Sequence, residues 1–137
     1  MTDRLWRLVY VSHASHDLSD QDLIDLLEVS RRWNQRDRIT GALAYCDQRF
    51  LQVLEGSEVA VQDLFSRICH DLRNSDQIVI LSQPIGERAF PDWSMGWIPQ
   101  QEIRRPGFGL EILYSGDPDL SMLDEIFIAF RKVGRSS

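Results

Sequence analysis

The order in which hydrophobic periodicity switches between two and 3.6 residues limits this chain more than any other feature. Leu5 to Ser12 (LWRLVYVS) is rich in β-formers and bounded by polar residues, which predicts a first strand. Ser19 stands where a helix cap belongs, with Asp22 three residues on, and Asp20 to Asn34 places Leu23, Leu26, Leu27 and Ser30 on one stripe of a first helix. Ile39 to Cys46 (ITGALAYC) is a second strand, turned by Asp47-Gln48-Arg49 into a third, Phe50 to Leu54. Glu55-Gly56-Ser57 breaks that strand. Ser57 caps a second helix, on which Ala60, Leu64, Ile68 and Leu72 line one face. Ile78 to Leu81 (IVIL) reads as a buried strand, and Ser94 to Ile98 as another, beyond the turn residues Pro84, Gly86 and Pro91.

That order predicts an α/β (α+β) fold, a ferredoxin-like βαββαββ sandwich with two helices on one sheet face. The opposite face then needs a cover, and Leu120, Leu123, Ile126, Phe127 and Phe130 are spaced as one amphipathic C-terminal helix. Gln101 to Gly116 reads as a connector with a short helix from Phe108. Residues 1–100 are therefore expected to form the main unit, and 101–137 a helical extension packed on its sheet within the same globule. No internal repeat or interdomain linker interrupts 137 residues, which leaves no room for an output domain.

Composition excludes several function classes. With 15 Lys+Arg against 21 Asp+Glu the net charge is −6, which argues against a nucleic acid or an anionic membrane as the main partner. No apolar run approaches ~18 residues and the N-terminus lacks a signal-peptide stretch, so a cytoplasmic protein is expected. Cys46 and Cys69 form no metal-ligand or disulfide pattern and read as two buried free thiols. His13, His16 and His70 have no nucleophile at a motif spacing, the first two reading as solvated imidazoles in a polar loop. No hydrolase, zinc-protease or phosphate-loop template occurs, and the chain is expected not to be an enzyme.

A few residues break the local pattern. Gln52 lies within FLQVL, where period two puts its amide on the same face as Phe50 and Leu54. It is either at a wet edge or buried with partners, since an unpaired buried amide costs about 1–3 kcal/mol. Tyr10 shares a face with Trp6 and Leu8, opposite Arg7, Val9 and Val11; it is a core tyrosine with some acceptor or part of a polar pocket. Gly41 inside a strand marks a bulge or close backbone approach. Asn34 ends the first helix as a cap or as a ligand contact. Arg67 and Asp71, four apart, are a solvated ion pair or a pair holding a phosphate and a hydroxyl. Trp93-Ser94-Met95-Gly96-Trp97 packs as core or rim.

The same residues carry a family resemblance. LVYVS at Leu8–Ser12, N-x-x-x-x-I-T-G-x-L at Asn34–Leu43, FLQVLEG at Phe50–Gly56, R-I-x-x-D at Arg67–Asp71 and F-x-x-W-S-M at Phe90–Met95 occur in order. From Leu5 to about Pro99 the chain resembles the BLUF domain, a blue-light sensor that uses FAD, and its short single-domain members in particular. The resemblance implies a flavin between the two helices. It makes Tyr10 and Gln52 the photoactive pair, and adds Ser30, Asn34, Ile39, Arg67, Asp71, Asn74, Trp93 and Met95 as cofactor contacts. Arg67 and Asp71 match positions on the phosphate and ribityl side, and Asn34 the one at the flavin's carbonyl edge. Light is then expected to drive electron and proton transfer from Tyr10, with Gln52 rearranging.

Two residues depart from the family pattern: Trp33 stands where many relatives carry a second Asn, and Asn74 where a His or Arg is common. With no effector domain, the signal is expected to leave through strand five and the C-terminal helix, by a homodimer contact or to an unidentified downstream protein. Two other classes stay open: a flavin-dependent redox enzyme, and a cofactor-free ferredoxin-like interaction module.

Overall fold

The computed structural model describes residues 4–98. The expected connector, C-terminal helix and packed 101–137 extension fall outside the described residues. The element order is β1 (Leu5–Ala14), α1 (Asp20–Asp37), β2 (Thr40–Cys46), β3 (Arg49–Ser57), α2 (Glu58–His70), β4 (Asn74–Pro84) and β5 (Gly96–Ile98). The strands form one sheet in the order β4-β1-β3-β2-β5. Neighbours are antiparallel except β2 and β5, which run parallel. This is the ferredoxin-like arrangement with a fifth strand added beside β2.

Both helices start where their caps predict. Ser19 and Asp22 form a reciprocal box: Asp22 N–H donates to Ser19 Oγ and Ser19 N–H donates to Asp22 Oδ2, each at 3.1 Å. Ser57 Oγ accepts from Ala60 N–H at 3.2 Å. The first helix does not end at Asn34, however. It continues to Asp37 and stops at Arg38, whose left-handed φ of 58° lets its N–H reach Asn34 O.

Other boundaries move because long-range pairing overrides local signals. Glu55-Gly56-Ser57 does not break β3 but pairs with Arg7, Trp6 and Leu5, so β3 is nine residues long. His13 is not in a loop; it belongs to β1, opposite Arg49, with its ring exposed. Leu72 falls beyond α2 and is 92% exposed, so it joins no stripe. The IVIL run is part of an eleven-residue edge strand, with Ile78 and Val79 half-exposed instead of buried. Cys46 is buried, but Cys69 is exposed.

Period two divides the sheet's side chains into two cores. Leu8, Tyr10, Leu43 and Leu54 meet Leu23 and Leu27 of α1 and Val61 of α2. On the other face Val9, Ala42, Ala44, Leu51 and Val53 are buried with Phe90, and Trp93 packs beside them. Gly41 is where β2 meets β3 too closely for any side chain, since a Cβ there would stand 1.9 Å from the Val53 carbonyl oxygen.

Candidate functional site

A cleft of about 300 Å³ opens between α1 and α2 over the helix-covered face of the sheet. Strand register builds its floor. Tyr10 lies directly opposite Gln52, and Gln52 opposite Leu43, so the three side chains form one row across β1, β3 and β2. Leu26 and Val29 on α1, Phe50 on β3, and Leu64 and Ile68 on α2 make the walls apolar. Ser30, Trp33 and Asn34 complete the α1 side, and Arg67, Asp71, Arg73 and Asn74 the far rim.

The floor pair is bonded and buried. Tyr10 OH donates to Oε1 of Gln52, and the same amide turns Nε2 towards Met95 Sδ at 3.6 Å. Gln52 is thus buried with partners, not at a wet edge. Burial, first, and then the charges of Cys69 and Asp71 push the Tyr10 phenol well above its ordinary pKa, so it stays protonated. Its ring packs on Phe65 with centroids 5.1 Å apart.

Asn34 is also buried, and its two halves act differently. Its backbone oxygen accepts the bonds that end α1, while its side-chain Nδ2 donates to Ser94 O at 2.7 Å. At the rim, Arg67 and Asp71 do not pair with each other despite their spacing. Arg67 reaches across to Asp37 of α1 at 3.5 Å, and Asp71 binds Arg73 at 2.6 Å. Hydrogen bonds from Arg73 hold the Asp71 carboxyl below its usual range. Asn74 lines the cleft, but Nδ2 caps α2 through Ile68 O and Asp71 O, and Oδ1 accepts from Gln77.

Three expected contacts lie off the cleft. Ile39 is buried in the helix-side core and borders a separate shallow pocket with Arg38, Thr40 and Arg88. Met95 does not line the cleft but lies behind it in the helix-side core, where its Sδ meets Gln52 Nε2. Trp93 is on the opposite face, stacked on Phe90 at 5.2 Å and seated over Gly96, where a Cβ would come within 2.1 Å of its ring. Residues missed in the sequence include Arg73, hinted at only by its place two after Asp71, and Arg31, whose Nε donates to Met95 O at 2.9 Å. Leu26, Leu64 and Ile68 were legible as core stripes, not as walls of a cleft.

An apolar slot with an amide and a phenol on its floor and cations at its rim suits a planar heteroaromatic ring carrying an anionic tail. Among the described residues no cluster of metal-ligating side chains occurs and no helix is long and apolar enough to cross a membrane. The family described as sensors of blue light using FAD, BLUF, matches residues 5–96, and the chain belongs to it. It is a family of blue-light sensor modules.

The chain is similar to BlrB, a BLUF protein whose dark-state structure superposes with a TM-score of 0.80 at 31% identity, covering 96% of this chain and 99% of that one. Klebsiella pneumoniae BlrP1, solved with FMN and cyclic diGMP, matches with a TM-score of 0.70 at 28% identity over 90% of this chain and 34% of that one. The photoactivated adenylate cyclase subunit beta-like protein FB of Euglena gracilis is 35% identical over 92 residues, 66% of this chain. The chain spans about a tenth (11%) of that curated relative's length.

Proposed function

We propose that this chain holds FAD between α1 and α2 and acts as a blue-light photoreceptor, with Tyr10 and Gln52 as its photoactive pair. The observation that carries the reading is the buried line Tyr10–Gln52–Met95 on the floor of an apolar slot. The residues fit the group: Leu26, Leu64 and Ile68 wall a flat ring, Ser30 and Asn34 offer polar atoms along one edge, and Arg67, Asp71 and Asn74 sit at the rim for the tail. Ile39 and Met95 back the ring from the core, and Trp93 acts from the far face. The flavin supplies blue-light absorption and, once excited, an acceptor for one electron.

Tyr10 is the donor. Its phenol would supply the electron and, along the existing hydrogen bond to Oε1 of Gln52, a proton, the amide releasing an Nε2 proton towards the flavin in exchange; both would return as the dark state recovers. A protonated, desolvated phenol is the form this requires. Gln52 is suited to record the event because an amide has a donor end and an acceptor end, so turning it exchanges what its neighbours meet. The signal passes through the Trp93–Trp97 segment to the 101–137 extension, and from there to a second copy or a separate protein. The cyclase relative and BlrP1 make such coupling to nucleotide-signalling partners reasonable for this chain.

The purified protein is expected to be yellow and to show a small, reversible red shift under blue light. Gln52→Leu and Tyr10→Phe should retain flavin and lose that shift; a normal shift in either variant overturns the assignment. A colourless protein that folds fully without flavin, or one that steadily oxidises NADH, overturns the sensor reading itself.

A further inference from the structure

We propose that Trp33 is a specificity-determining residue that stacks on the adenine of a dinucleotide flavin and makes this chain select FAD over FMN. This rests on the flavin reading above. The cleft, at about 300 Å³, is at the low end of the roughly 300–1,000 Å³ of small-molecule sites and admits one ring system. A second ring joined through phosphates must therefore lie outside, across the mouth.

The mouth has the chemistry to receive it. Trp33 lines the cleft yet is 44% exposed, an indole left half in water on a helix whose polar face could carry any hydrophilic residue. Val29, one turn earlier on the same wall, is also half-exposed and extends the apolar strip. The Arg36 guanidinium sits 4.2 Å from the Trp33 ring centroid, so the ring is held between a cation and the cleft. Asp37, one turn beyond Trp33, receives Arg67 from α2 and brings a second cation to this end of the mouth. Anionic phosphates passing Arg67 would deliver the second base to the neighbourhood of Trp33.

The test uses the purified holoprotein. It is incubated in the dark with equal excess FAD and FMN until exchange is complete, and the bound flavins are separated and counted per protein. Base stacking on an aromatic ring is worth a factor of roughly ten in affinity. Trp33→Ala and Trp33→Asn are expected to lower the bound FAD:FMN ratio by about that factor with total flavin close to one per chain, while Trp33→Tyr retains most of the preference. An unchanged ratio in Trp33→Ala, or a loss of both flavins together, overturns the role of Trp33 and leaves the cleft reading standing. Absence of both flavins from the unaltered protein overturns the cleft reading and this inference with it.

Discussion

Replacing Glu55 with alanine removes a carboxylate that ties three segments together on the far side of the sheet. Glu55 is fully buried. Its Oε2 accepts from Arg7 Nε at 2.8 Å and lies 2.7 Å from the other guanidinium nitrogen, and also takes the Ala89 N–H at 3.0 Å. Oε1 accepts the Phe90 N–H at 3.0 Å. Deleting one partner of a buried ion pair costs about 3–5 kcal/mol. Arg7 keeps some solvent contact, which places the expected loss near the lower end, about 3 kcal/mol. For a chain of this size that lowers the melting temperature by roughly 10–15 °C. Glu55→Gln keeps the shape but turns an NH₂ towards a donor, so its loss should be intermediate, about 1–3 kcal/mol. Urea unfolding followed by circular dichroism, at one fixed flavin concentration because bound ligand raises apparent stability, reads both values. Hydrogen exchange should show the Ala89 and Phe90 amides losing protection first. A Glu55→Ala loss below about 1 kcal/mol at unchanged m-value would refute the anchoring role.

Two further predictions concern the strands under the cleft. Gly41→Ala drives a Cβ to 1.9 Å from the Val53 carbonyl oxygen, a backbone atom that cannot rotate away, and should destabilise by about 3 kcal/mol or more; an unaltered melting curve would disprove the close approach. The raised Tyr10 phenol makes an alkaline prediction: the unfolded chain deprotonates near pH 10, before the native one, so this contribution is whole below pH 10 and declines as pH rises through and beyond it. Above pH 10 the native protein should therefore lose stability more steeply than Tyr10→Phe, and parallel slopes would refute the burial argument.

What could be read in advance follows the range of the interaction that decides it. The Ser19–Asp22 box and the Ser57 cap depend on residues three apart, and both stand where the sequence places them. The alternation of Trp6, Leu8 and Tyr10 against Val9 and Val11 is a two-residue rule and sorts those residues between the two cores. Glu55 failed because its partners lie 34, 35 and 48 residues away, and a Glu-Gly-Ser run looks like a turn until β1 is laid beside it. IVIL failed because an apolar run of four is the same in a central strand and at an edge, and only the sheet order makes β4 an edge. Arg67 and Asp71 are neighbours on α2 by spacing, yet each found a better-placed partner, on α1 and at Arg73. The site's residue types were legible; its walls and mouth depended on how two helices sit over five strands.

The segment that separates the cleft from the far face shows which contact can carry a displacement. Trp93 O accepts from Gly41 N–H at 2.9 Å, Ser94 O from Asn34 Nδ2 at 2.7 Å, and Met95 O from Arg31 Nε at 2.9 Å. Each such bond is worth about 1 kcal/mol net, so together they hold the segment by roughly 3 kcal/mol. The amide-to-sulfur contact between Gln52 and Met95, at 3.6 Å, is weaker than any of them. Turning the Gln52 amide would therefore break its contact with Met95 without pulling the segment along. A change in the cleft would reach β5 more forcibly through Asn34, which borders the cleft and also holds Ser94 O by the shortest of the three bonds. Trp93, stacked on Phe90 and seated on Gly96, would then pass it along the far face, where Glu55 grips the Phe90 N–H. A signal generated at Tyr10 and Gln52, as proposed, would then depend on the Asn34 bond to Ser94 O more than on the Met95 contact to leave by this route.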